Sequence, residues 1–136
     1  MRLVVDTNVL VSAMLKAGSV PDRALLAAYA AGAEVVYDAR IRAEYEEVAR
    51  RPKFRKVPRD RVEACLSGLL GHGAPLDAVP AWTGAMSDED DRMFVEVALH
   101  AQADAIVTGN GKDFPEGLGF EVLPPAVLLG RLRPDA

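Results

Sequence analysis

Short apolar runs alternate along this chain with segments of helical spacing. The runs Arg2–Val5 (RLVV), residues 34–37 (EVVY), 76–79, Ala105–Val107 and 120–123 read as strands. Between them, residues 8–16, 21–31, 38–50, 60–70 and 88–102 read as helices, and Pro125–Leu132 closes the chain with a short one. Pro21 opens a helix at a first-turn position, Gly32 ends it, and Asp38 and Ser87 read as caps. Strands alternating with helices imply a parallel sheet covered on both faces. The expected fold is therefore α/β, a three-layer α/β/α sandwich around a central parallel sheet of four or five strands. At 136 residues, the expected organisation is one domain over residues 1–136.

In such sheets ligands bind in the crevice beyond the carboxyl ends of the strands. The residues available there are mostly oxygen donors. A single cysteine, Cys65, excludes an internal disulfide framework and a cysteine-based zinc site. Two histidines, His72 and His100, exclude most histidine-rich metal sites. The first apolar run stops at Asp6, too short for a signal peptide or a membrane span. The expected setting is the reduced cytoplasm.

Four acids in separate segments point toward that edge. Asp6 ends the first strand at the start of Asp-Thr-Asn. Capping the next helix is its alternative role. Glu44 lies on a helix whose apolar residues are Ile41, Tyr45, Val48 and Ala49. It falls about 40° from Val48 and about 60° from Ile41 around that helix, on the flank of the buried stripe. Glu46 and Glu47 point away from it, and pairing with Arg40 is the competing role for Glu44. Asp88, Glu89, Asp90 and Asp91 form a run at a helix start, where the macrodipole favours acids. Capping accounts for one or two of them, with Asp88 as the cap. Asp91 continues into Phe94, Val95 and Ala98 and leans inward. Asp113 follows Ala105–Val107 in a polar turn that also holds Thr108 and Asn110; ordinary turn chemistry is the alternative there. Carboxylates gathered at close range raise one another's pKa unless neutralised. A hard divalent cation, Mg²⁺ or Mn²⁺, suits an all-oxygen donor set. Such an ion can lower the pKa of a water and steady a pentavalent phosphorus.

The segments VVDTNVLVSA, IRAEYEEVARRPKF, SDEDDRMFVEVAL and DAIVTGNGKDF together resemble a PIN domain, in the family's order and over nearly the whole chain. Their wording is most similar to the bacterial toxin components of toxin–antitoxin pairs, the VapC-like ribonucleases. The resemblance implies a Mg²⁺- or Mn²⁺-dependent endoribonuclease acting on single-stranded RNA. Asp6, Glu44 and Asp91 match the first three family acids. At the fourth, Asn110 stands where many relatives carry Asp, and Asp113 is the alternative supplier of that charge. Thr7, Asn8 and Thr108 match polar residues that usually line the site. A homodimer and a small antitoxin partner are also implied. The rival expectation, kept open by Asn110, is a PIN-fold binding module with weak or absent catalysis.

Two other enzyme classes fit poorly. A haloacid-dehalogenase-like phosphatase needs a second acid two residues after the first, and that position is Asn8. A phospho-receiver domain needs a lysine after its last strand, and Lys112 is badly placed for that.

The net charge of −4 conceals an asymmetry. Residues 50–61, RRPKFRKVPRDR, carry seven Lys and Arg against one acid, a local +6, and the remainder carries −10. Local charge governs phosphate contacts. Arg50, Arg51, Lys53, Arg55 and Lys56, directly after the Glu44 helix, are the expected contacts to the RNA backbone. A solvated linker between two helices is the plainer alternative, with Phe54 an anchor into the core.

Overall fold

A computed structural model describes residues 1–132. Five strands form one parallel sheet: β1 (Arg2–Val5), β2 (Glu34–Asp38), β3 (Gly73–Leu76), β4 (Ala105–Val107) and β5 (Glu121–Leu123). Their spatial order is β3-β2-β1-β4-β5. Six α-helices connect and follow them: α1 (Thr7–Leu15), α2 (Val20–Ala30), α3 (Ala39–Ala49), α4 (Arg59–Gly71), α5 (Arg92–Ala101) and α6 (Pro125–Leu132). The expected α/β/α architecture with five strands is what the chain adopts.

The strand order reverses between β1 and β4. Crossovers to β2 and β3 run one way from β1, and the return to β4 runs the other. Right-handed crossovers then put the helix before β4 on the face opposite the first four. Accordingly α1, α2, α3 and α4 pack among themselves and α6 packs on α2, while α5 packs on β1, β2 and β4. Leu3, Val4 and Val5 are fully buried, as an apolar strand covered on both faces requires. The reversal places the crevice at the carboxyl ends of β1 and β4.

Several boundaries move. The third strand runs Gly73–Leu76, not 76–79, and pairs with β2 from Val35↔Gly73 to Asp38↔Leu76. Glycine and proline argue against a strand, but β3 lies at the sheet edge, where Pro75 costs no central ladder bond. Residues 89–91 form a 3-10 turn, and the α-helix starts only at Arg92. Asp88, not Ser87, caps that turn, its carboxylate accepting from the Asp90 amide at 2.9 Å. Asp38 is the last residue of β2 and also caps α3 through the amides of Arg40 and Ile41. Phe120 precedes β5 and stays outside it. Cys65, expected to be a buried small hydrophobe, is half-exposed because it borders an open cleft between α2 and α4. Among the described residues, no helix is long and apolar enough to cross a membrane.

Candidate active site

Asp6 and Thr108 each stand one residue beyond a strand, and strand pairing continues through them, of β1 with β4 at Asp6 and of β4 with β5 at Thr108. The Asp6 amide donates to the Val107 carbonyl at 2.9 Å, and the Thr108 amide donates to that of Leu123 at 3.0 Å. Their side chains meet: the Thr108 hydroxyl donates to Asp6 Oδ2 at 2.7 Å. Thr108 Oγ1 also accepts from the Asn110 amide at 3.0 Å, which fixes the turn after β4. Asn8 Oδ1 accepts from the Gly109 amide at 3.3 Å and ties that turn to the start of α1. Asp6 occupies the cap position of α1, yet its side chain makes no capping hydrogen bond.

Glu44 reaches the same edge from α3. Ile41, Tyr45, Val48 and Ala49 are the buried residues of that helix, so its phase is as the sequence predicts. Glu44 is half-buried on the flank and accepts a hydrogen bond from the Thr7 hydroxyl. Arg40 does not pair with it; that guanidinium bonds to Asp38 and Glu96. Tyr45, fully buried, donates to the Val5 carbonyl and anchors α3 under β1. Glu46, expected to face outward, is half-buried and pairs with Arg42 at 3.6 Å.

Asp91 ends the 3-10 turn and is half-buried. Its carboxyl is pushed up to about 6, first by burial and then by the charges of Asp6, Asp88, Glu44 and Asp113. The Asp6 carboxyl is raised too. Burial is the main cause, the Thr108 hydrogen bond and the nearby Asn8 and Thr7 amides oppose it, and the Asp113 charge adds to it. Asp113, half-buried, belongs to a second 3-10 turn, Gly111–Asp113, while Asn110 is exposed. The negative charge felt at Asp6 and Asp91 from that turn is thus Asp113's. Among the described residues, none of the four acids has an ion pair with lysine, arginine or histidine. The charges of Asp6, Glu44 and Asp113 all reach Asp91, and no ion pair offsets them among the described residues.

The chemistry of this donor set fits a hard divalent cation: carboxylates, amides and hydroxyls, with no thiolate or imidazole. Among the described residues, no three acids stand near enough to enclose an ion directly. Mg²⁺ commonly keeps several of its waters and is bound through one or two carboxylates, so enclosure by three acids is not required of such a site. Asp6, Glu44, Asp91 and Asp113 are the residues that would hold it.

The basic stretch lies beyond α3. Phe54 is buried, as expected of an anchor. Arg51 is paired with Glu47 at 3.0 Å, whereas Arg50, Lys53, Arg55 and Lys56 form no ion pair among the described residues. Arg50, Arg55 and Lys56 line a groove of about 420 Å³ between α3 and α4.

Two further acids, Asp22 and Glu96, are buried beyond those that the sequence singles out. Asp22 accepts from the Gly18 amide at 2.8 Å and pairs with Arg61 at 3.1 Å. Glu96, 5% exposed, accepts from Arg40 at 2.7 Å and from the Trp82 amide at 2.8 Å. The signal for Glu96 was a lone acid among Phe94, Val95, Val97 and Ala98 on a buried face.

Fold and site together define a parallel α/β protein with an acidic crevice at its switch point. The sequence profile of the PIN domain matches residues 2–112, and the chain belongs to that family. Its members are generally nucleases that bind nucleic acid and typically use divalent metal ions. No curated protein and no solved structure matches the chain.

Proposed function

We propose that this protein is a divalent-metal-dependent endoribonuclease that cleaves single-stranded RNA, the toxin half of a toxin–antitoxin pair. The observation that carries the reading is the meeting of Asp6 and Glu44 at one sheet edge, each held by a threonine hydroxyl, with no basic partner among the described residues for either of them or for Asp91 and Asp113. Such a cluster opposes folding unless it serves a cation. When bound, the ion lowers the pKa of a water and steadies charge on the phosphate.

The chain's own residues do the rest. Thr108 holds the Asp6 carboxylate toward the crevice, and Thr7 does the same for Glu44. Asp113 supplies the fourth charge, and Asn8 and the backbone at Asn110 keep its turn in place. Water attacking phosphorus in line with the 3′-oxygen forms one P–O bond as the bond to that oxygen breaks, and the proton lost by water is balanced by one taken up on the 3′-oxygen, leaving a 5′-phosphate and a 3′-hydroxyl. Purified protein is expected to cut defined single-stranded RNAs with Mn²⁺ or Mg²⁺ and to stop when chelator is added. Sequencing the new ends reads both the chemistry and the site preference. Cleavage that persists in excess chelator overturns the metal assignment.

Arg50, Lys53, Arg55 and Lys56, with Arg51 partly engaged by Glu47, hold the flanking RNA backbone in this reading. Each phosphate neutralised on a single strand contributes about 0.7 to the slope of log affinity against log salt. Replacing Arg50, Lys53 and Arg55 by glutamine is expected to flatten that slope by about 2. An unchanged slope removes the stretch from the RNA path. The family likeness also supports a homodimer and a small antitoxin partner, and sedimentation of the protein alone tests the first.

A second reading, a catalytically silent binding module, is favoured by Asn110 and by the absence, among the described residues, of three acids close enough to enclose an ion. Calorimetric titration with Mg²⁺ or Mn²⁺ separates the two, because a silent site binds neither ion measurably.

A further inference from the structure

A groove of about 410 Å³ is lined by Asn8 and Asn110, close in sequence to Asp6 and Asp113, and we propose that it receives one unpaired nucleobase of the RNA strand whose phosphate lies at Asp6. This inference rests on the nuclease reading and adds to it a residue set that determines where the strand is cut. The groove runs between the starts of α1 and α2, the turn after β4 and the junction of β5 with α6. Asn8, Ser12, Pro21, Asn110, Pro124 and Ala126 are among its lining residues.

Three observations point to a base as the occupant. The first is continuity. Asn8 lies two residues after Asp6, and the Asn110 amide donates to the hydroxyl that itself donates to Asp6. A nucleotide with its phosphate at the acids therefore has beside it an apolar recess lined by Asn8 and Asn110, residues tied to the turn that holds Asp6. The second is charge. No lysine, arginine or carboxylate lines the groove, in contrast to the basic groove between α3 and α4. It offers nothing to a phosphate, and it offers proline and valine surfaces to a flat, uncharged ring. The third is unspent hydrogen-bonding capacity. The exposed Asn110 side chain caps nothing and has no partner among the described residues. Asn8 uses its Oδ1 on the Gly109 amide and keeps its amide N–H groups. Polar groups at the rim of an apolar recess orient a ligand and discriminate between bases.

The test uses trinucleotides carrying A, C, G, U or no base at one position, titrated into the full-length Asp6→Asn variant with Mg²⁺ so that cleavage does not interfere. Base-bearing strands are expected to bind at least about tenfold more tightly than the abasic strand, with a clear order among the four bases. Ala126→Trp and Ser12→Trp, added to that variant at exposed positions that face the groove, are expected to shrink the abasic difference to about twofold or less. Asn110→Ala is expected to compress the order among bases to about threefold while the abasic strand binds unchanged. Thermal melts of each variant check that the fold is intact. Equal affinity for abasic and base-bearing strands overturns the proposal, as does tight, base-dependent binding by both tryptophan variants, or no binding by any trinucleotide. Failure of the wild-type protein to cleave RNA with any metal would instead defeat the nuclease reading, and the binding measurements still decide whether the groove takes a base.

Discussion

Asp6→Asn and Asp91→Asn are each expected to abolish RNA cleavage, and Asp91→Asn is expected to make the metal-free protein more stable. The loss of activity should reach about a thousandfold, or roughly 4 kcal/mol of transition-state stabilisation. The gain in stability follows from the sign of the pKa shift. Asp91 titrates near 6 in the folded chain against an ordinary value of 3.8, so the unfolded chain gives up that proton more readily. The ionised carboxyl therefore costs stability progressively as pH rises from about 4 to about 6, and the full cost remains above that. Because Asp91 is only half-buried, water screens much of it, and about 1 kcal/mol at pH 8 is the expected size. For a chain of this length that corresponds to a melting shift of about 3 to 5 °C. Asparagine keeps the shape and removes the charge. A divalent cation should raise the melting temperature of the wild type, because it binds the folded chain and not the unfolded one. It should do so much less for the variant. Melts in chelator and in Mg²⁺ at pH 5 and pH 8, read beside cleavage rates, test both halves. A variant that still cuts RNA, or that melts lower than wild type in chelator at pH 8, contradicts the role given to these acids.

The same electrostatics explains which parts of this site can be read from the sequence. Asp6 and Glu44 are legible because each rides on a periodic element. The apolar run RLVV must be a buried strand, and it delivers whatever residue follows it to the sheet edge. Tyr45 and Val48 fix the phase of α3, and with it the flank on which Glu44 sits. Asp91 is legible through its helix even though the helix begins later than expected, since the 3-10 turn ahead of Arg92 still leads into the same buried stripe. The choice between Asn110 and Asp113 is not legible, because no period governs side-chain direction in a turn. Only the folded chain lets the Asp113 charge act on Asp6 and Asp91. The edge strand Gly73–Leu76 is hidden for a related reason. Its glycine and proline are poor strand formers, and pairing with β2, a tertiary fact, overrides them. Glu96 and its partner Arg40 lie 56 residues apart, and nothing local to either announces the other.

That pair yields the largest expected loss of stability, and the loss should be lopsided. Arg40→Ala is expected to destabilise the protein more than Glu96→Ala does, by about 3 kcal/mol against about 2 kcal/mol. The reason is where each charge is left. Glu96 is 5% exposed, whereas nearly half of the Arg40 side chain is open to water. Removing the arginine strands a buried carboxylate and also strips Asp38 of a partner at 2.7 Å. Removing the glutamate leaves a guanidinium that keeps Asp38 and can take up water. What Glu96→Ala does lose is the acceptor for the Trp82 amide, one of the ties that holds the loop of residues 77–88 against α5. Arg92 supplies others, donating to the Trp82 and Gly84 carbonyls at 2.7 and 2.8 Å while its Cζ lies 5.4 Å from the centre of the Trp82 ring. The loop should therefore loosen without detaching, and a modest red shift of the single tryptophan's emission should accompany the smaller loss. The doubly apolar Arg40→Met, Glu96→Leu protein should recover part of the deficit of Arg40→Ala, because the stranded Glu96 carboxylate is gone, while buried Asp38 keeps only its backbone bonds at the start of α3. Urea unfolding of the four proteins, with fluorescence from Trp82, measures the order. Equal losses, or a larger one for Glu96→Ala, would mean that water reaches Glu96 freely and that the pair fastens the loop by shape alone.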